Sequence, residues 1–86
     1  NFFSIEDNSG LQLAVYPNPT STVLSFDSSE NIIYQFVVYD NFGKVIETNE
    51  WNSNRGKFDV SHLSSGLYFF RFNSEKSSSI QKIIIQ

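Results

Sequence analysis

Apolar stretches of four to nine residues recur along this chain, and a cluster of Asn, Asp, Ser, Gly or Pro cuts off each one. That spacing suits β-strands joined by tight turns and leaves no stretch long enough for a helix of useful length. The side chains agree. Nine Phe, eight Ile, six Val and four Tyr favour a pleated surface, whereas the chain has one Ala and no Met. Fourteen Ser and nine Asn supply turns and a polar outer surface. The expected fold class is all-β, an Ig-like antiparallel β-sandwich of about seven strands.

With 86 residues the chain is one domain. It has no cysteine, so packing alone must hold it without disulfides. Residues 1–10 read as the start of the domain, a linker remnant with a short first strand over residues 2–6. Residues 11–86 read as the sandwich. Residues 11–16 place Leu11, Leu13 and Val15 on one face, and Tyr16-Pro17-Asn18-Pro19-Thr20 ends that run. Two prolines there fix two φ angles and remove two N–H donors, which makes a rigid corner outside any ladder. Val23–Asp27 resumes with Leu24 and Phe26 on one face. Residues 32–40 form the longest run, with Ile32, Tyr34, Phe36 and Val38 expected on one face and Ile33, Val37 and Tyr39 on the other.

Asp40-Asn41-Phe42-Gly43 signals a hairpin with Gly43 left-handed and Phe42 folded back over a sheet edge. Residues 44–51 return, with Val45 or Ile46 inward. A loop over 52–56 leads to a short strand at 58–60, then to a corner over 61–66 that tucks Leu63 inward. Residues 67–73 alternate Tyr68, Phe70 and Phe72 against Leu67, Phe69 and Arg71. A polar turn over 74–79 precedes the last strand, 80–85. Isoleucine falls on both faces of that strand. One face serves the core; on the other, either the preceding loop covers the strand as a central one, or the isoleucine there forms a docking patch rimmed by Lys82 and Arg71.

Little in the chain points to chemistry. His62 is the only histidine. Ser61 and Asp59 beside it make a weak case for a base and nucleophile, and an exposed corner histidine is the simpler reading. Asp40-Asn41 offers two oxygens where calcium needs about six, so a turn role is expected. One His and no Cys serve zinc poorly. The four glycines are isolated and form no phosphate loop. The expectation is no enzyme and no cofactor. Net charge is −3, with −5 on residues 1–66 and +2 on 67–86. This lacks a nucleic-acid footprint and leaves the last part mildly basic. Trp51, Tyr16 and Tyr39 would make a sugar platform only if they shared an exposed face. A carbohydrate-binding or adhesion module is therefore the alternative function. The absence of an initiator Met suggests a piece cut from a longer precursor.

Four segments stand in order: Tyr16-Pro17-Asn18-Pro19, then Val38-Tyr39-Asp40-Asn41-Phe42-Gly43-Lys44-Val45, then Phe58-Asp59-Val60-Ser61-His62-Leu63-Ser64-Ser65-Gly66-Leu67-Tyr68-Phe69-Phe70, and last Lys82-Ile83-Ile84-Ile85-Gln86. Over essentially its whole length the chain resembles the type A C-terminal sorting domain of the type IX secretion system of Bacteroidota. It departs at Ser21-Thr22, where the family often has Gly shortly after Pro-Asn-Pro. The resemblance implies a sandwich at the end of a cargo protein fused upstream. The precursor would cross the periplasm on its way to the outer-membrane surface or the medium. The domain would address the cargo to the outer-membrane translocon, and a sortase-like peptidase would remove it. The expected recognition residues are Pro17, Asn18, Pro19, Gly66, Tyr68, Lys82, Ile83, Ile84, Ile85 and Gln86. An open edge on the last strand also leaves room for a weak homodimer.

Overall fold

The computed structural model describes residues 12–29 and 31–86. The expected strand over residues 2–6, with the 1–10 linker remnant and Leu11, lies outside them. Seven strands are described: β1 (Ala14–Tyr16), β2 (Val23–Asp27), β3 (Ile33–Asp40), β4 (Val45–Ser53), β5 (Arg55–Asp59), β6 (Gly66–Ser74) and β7 (Ser78–Ile85). They form two antiparallel sheets, one ordered β1-β2-β5 and the other β4-β3-β6-β7. The sheets pack face to face as an Ig-like sandwich.

The core is the inner face of both sheets. Leu24 and Phe26 of β2 meet Ile33, Phe36 and Val38 of β3 and Tyr68, Phe70 and Phe72 of β6. Aromatic rings interlock across the gap. Phe26 sits 5.7 Å from Phe36 and 4.9 Å from Phe72, and Phe58 of β5 sits 4.9 Å edge-on to Phe36. Burying each such ring stabilises by roughly 1.5–3 kcal/mol before entropy is subtracted. The alternation read in β2 and β6 is the alternation found.

Two β-bulges shift faces that simple alternation assigns otherwise. In β3 the register steps between Ile33 and Gln35, leaving Tyr34 as an extra residue against β6. Ile33 therefore joins Phe36 inside, and Ile32 and Tyr34, expected on the same face as Phe36 and Val38, are exposed. In β4 Val38 pairs with Glu47 and Tyr39 with Val45, so Ile46 is the extra residue. Val45 and Ile46 both lie exposed, against the expectation that one faces the core. The Asp40–Gly43 hairpin forms as expected, with Gly43 at φ 87°. Phe42 does not fold back but stands 85% exposed at its tip.

The loop expected over 52–56 is shorter. β4 runs to Ser53 and β5 begins at Arg55, so Asn54 alone carries the chain from one sheet to the other. The Ser28 backbone N–H donates to the Asn54 carbonyl at 2.8 Å and fixes the crossover. Beside it the Trp51 indole lies over Gly56. A Cβ there would stand 2.2 Å from Trp51 Cζ2, so only glycine fits beneath the ring. Ser74 and Ser77 close the β6–β7 turn by a 2.8 Å backbone hydrogen bond, and β7 starts at Ser78, earlier than expected. β7 is an edge strand rather than a covered central one.

Candidate recognition surface

An edge strand presents unpaired N–H and C=O groups to solvent. On β7 the stretch from Lys82 to Gln86 is closed by the corner at residues 17–20. The Asn18 carboxamide does most of this. Its Nδ2 donates to the Lys82 carbonyl at 2.9 Å, and its Oδ1 accepts from the Ile84 N–H at 3.0 Å. Pro17 and Pro19 have no N–H to offer, so a side chain with one amide donor and one carbonyl acceptor replaces a backbone partner. Thr20 continues the contact. Its N–H donates to the Ile84 carbonyl at 3.0 Å, and its carbonyl accepts from the Gln86 N–H at 2.8 Å. Thr20 and Ile85 thus form a parallel bridge. The Thr20 side chain is buried and donates to the Val23 carbonyl at 2.6 Å, which ties the corner to β2.

The start of β6 meets the same end of β7. Gly66 pairs with Ile85, Leu67 with Ile84 and Tyr68 with Ile83. Gly66 has φ +153°, a conformation that L side chains rarely adopt. Two residues on, the Tyr68 hydroxyl donates to the Ser64 carbonyl at 2.7 Å. This resembles the tyrosine corner of Ig-type sandwiches, which staples the loop before a strand onto that strand.

All ten expected recognition residues therefore gather at one end of the four-stranded sheet. They divide by burial. Tyr68, Ile83 and Ile85 are core residues at 8%, 1% and 2% exposure, so they shape the strand ends and are not available for contact. Pro17, Asn18, Pro19, Gly66, Lys82, Ile84 and Gln86 are exposed. Thr20 was not expected here. A polar side chain directly after Pro-Asn-Pro was its only sequence signal.

Other candidates do not assemble. The Ser61 hydroxyl donates to Asp59 Oδ1 at 2.6 Å, while His62 Nε2 lies 2.6 Å from Glu47 Oε1. No hydrogen bond joins Ser61 to His62 among the described residues, so base and nucleophile are not paired. The hydrogen bond from the Ser61 side chain, then that from its backbone N–H, holds the Asp59 carboxyl below the usual carboxylate range. Asp40 Oδ1 accepts from the Phe42 and Lys44 N–H groups at 2.8 and 3.0 Å, the turn role expected of it. The three rings of the supposed sugar platform are dispersed. Trp51 packs against Phe26 and Phe36 at 5.4 and 5.6 Å, Tyr16 lies on the other sheet, and Tyr39 lies on β3 facing away from the core.

Fold and site together define an Ig-like sandwich whose last described strand is held at its edge by a proline-flanked asparagine. The chain belongs to the secretion system C-terminal sorting domains, whose family model matches residues 14–86. It is a sorting domain of the type IX kind, a secretion signal carried by the precursor of a secreted protein. No curated protein matches the chain. Such a signal works by meeting the secretion machinery while fused to its cargo.

Proposed function

We propose that the clasped end of the sandwich is the address by which the outer-membrane translocon accepts the cargo. The cargo is fused on the N-terminal side and waits in the periplasm, folded, until the domain is read. A sortase-like peptidase then cuts ahead of the sandwich, and the cargo is released or held at the cell surface. The domain itself carries out no reaction. The observation that supports this reading is the Asn18 clasp. It satisfies the backbone of β7 at Lys82 and Ile84 and leaves the Lys82, Ile84 and Gln86 side chains exposed. A recognition element needs that combination of a fixed backbone and free side chains.

The test is export of a reporter enzyme fused ahead of the chain, in a cell with a type IX system. The fusion is expected in the medium or on the surface, and the reporter without the domain in the periplasm. Removing residues 82–86 would also strip core residues, so Lys82→Ala and Gln86→Ala are the cleaner variants. With melting unchanged, both are expected to reduce export. Wild-type export from the folded double variant would overturn the assignment of the address to this end. A fusion retained in the periplasm would overturn the secretion reading itself.

A further inference from the structure

The outer face of the four-stranded sheet changes character along its length. At the end far from the clasp the Gln35 row is polar, with Asn73 Nδ2 donating to Gln35 Oε1 at 3.0 Å across β6 and β3, and Ile32 and Tyr34 are exposed singly beside it. Beside the clasp it is apolar. Ile84 pairs with Leu67, and the next row runs Lys82, Phe69, Tyr39, Val45 across all four strands. The β4 bulge adds Ile46 opposite Tyr39. Asp40 is in register with Tyr68, so the hairpin carrying Phe42 projects from this same end. Ile84, Val45, Ile46 and Phe42 are 42%, 51%, 42% and 85% exposed. They are half of the eight large hydrophobic residues exposed among the described residues and lie at one end of the sheet, while Ile32 and Tyr34 lie at the other. Apolar residues on the wet face of a sandwich normally lie scattered, and a cluster marks a contact surface.

The charges nearby say what fits it. Lys82 and Arg71 occupy diagonal positions on β7 and β6, because Lys82 pairs with Phe69 and Arg71 with Ile80. Lys44 is exposed at the base of the hairpin. Like charges on adjacent strands repel. The ion pair between described residues, His62 with Glu47, involves none of the three. Three cations thus border the apolar cluster on a domain whose net charge is −3.

We infer that this face is the docking surface for a protein partner with an apolar centre bordered by carboxylates. The inference rests on the sorting-signal reading and names the chemistry of the receptor. A second copy of this chain fits poorly, because a twofold contact would set Lys82, Arg71 and Lys44 against themselves.

The reporter fusion tests it. Val45→Thr with Ile84→Thr keeps β-branched residues in both strands and removes the apolar surface. Export is expected to fall at least tenfold, while the control pair Val23→Thr and Ile32→Thr, exposed elsewhere, exports as wild type. Lys82→Glu with Arg71→Glu is expected to lose at least tenfold as well, and Lys82→Arg to retain export. Phe42→Ser, at a solvent-exposed hairpin tip, should lower export at least threefold with no change in melting, so a folding defect in the other variants cannot hide the answer. Wild-type export from folded patch variants overturns the surface, and wild-type export after charge reversal overturns the acidic partner. If even the unaltered fusion stays inside the cell, the sorting reading falls first and this inference with it. Two further measurements address other occupants. A dimer in sedimentation that Ile84→Thr dissolves would assign the face to self-association. Cosedimentation with phosphatidylglycerol vesicles that Ile84→Thr abolishes would assign it to lipid. Either result overturns the inference.

Discussion

Asn18 meets Ile84 as a neighbouring strand would, accepting its N–H at 3.0 Å while donating to the Lys82 carbonyl two residues earlier. Two hydrogen bonds to one exposed side chain contribute about 1–2 kcal/mol in total. Asn18→Ala is expected to lose that amount in urea unfolding. Hydrogen exchange at the Ile84 amide should accelerate well beyond that at Ile83, whose N–H faces β6 in the ladder. Equal acceleration at both would mean that the corner contributes to general stability and does not guard the edge.

The corner before β6 depends on a backbone angle. Gly66 has φ +153°, and the nearest atom to a Cβ built there is Tyr68 Cε1 at 4.0 Å, ordinary contact. Space is therefore no obstacle, and any cost of a side chain is conformational. Gly66→Ala is expected to destabilise by about 1–3 kcal/mol. D-alanine, introduced by joining synthetic residues 66–86 to the rest of the chain, should restore most of it, because its mirror-image preference accepts positive φ. A D-alanine protein as unstable as Gly66→Ala would show that crowding is the cause instead.

Asp59 links the following corner to pH. The Ser61 hydroxyl at 2.6 Å and the Ser61 N–H at 2.8 Å both favour its charged form and lower its pKa. A carboxylate held below its unfolded value stabilises the fold above that unfolded value. The contribution disappears as pH falls through the folded value. Ser61→Ala removes the hydroxyl hydrogen bond, the stronger of the two influences, so Asp59 should titrate closer to the usual carboxylate range in an NMR titration. The stability difference between the two proteins is expected at neutral pH and should vanish in acid, where Asp59 is protonated in both. A difference that persists in acid would trace to the loss of the hydroxyl itself.

Alternation made much of this fold legible. Tyr68, Phe70 and Phe72 on β6 and Leu24 and Phe26 on β2 face inward as a period of two demands. The errors in which face a side chain takes on β3 and β4 share one cause. A bulge inserts one residue and inverts the alternation beyond it, and neither Tyr34 nor Ile46 carries a local signal such as glycine that would announce one. The candidate recognition end was grouped from its pieces, the proline corner, the Gly66 corner and the last strand, but the contact that joins them was not legible. It depends on an Asn18 side chain reaching residues 64 and 66 positions away, and no periodicity encodes a contact of that range.

Trp51 and Gly56 are coupled by shape. The indole spans the crossover, donating from Nε1 to the Arg55 carbonyl at 3.2 Å while its ring covers the Gly56 backbone and packs on Phe26 and Phe36. A methyl group at residue 56 would fall 2.2 Å from Cζ2, so the ring must move outward. Gly56→Ala is expected to cost about 1–3 kcal/mol, as overpacking usually does. Trp51 is the only tryptophan, so its emission should shift to the red as the ring gains solvent. Trp51→Leu removes the ring and opens the space above Gly56. It is costly alone, yet adding Gly56→Ala to it should cost far less than in the wild-type protein. A double-mutant cycle measures that difference directly. Additive losses would mean that the methyl group strains the β5 backbone independently of the indole, and glycine at 56 would then be explained by conformation rather than by the ring above it.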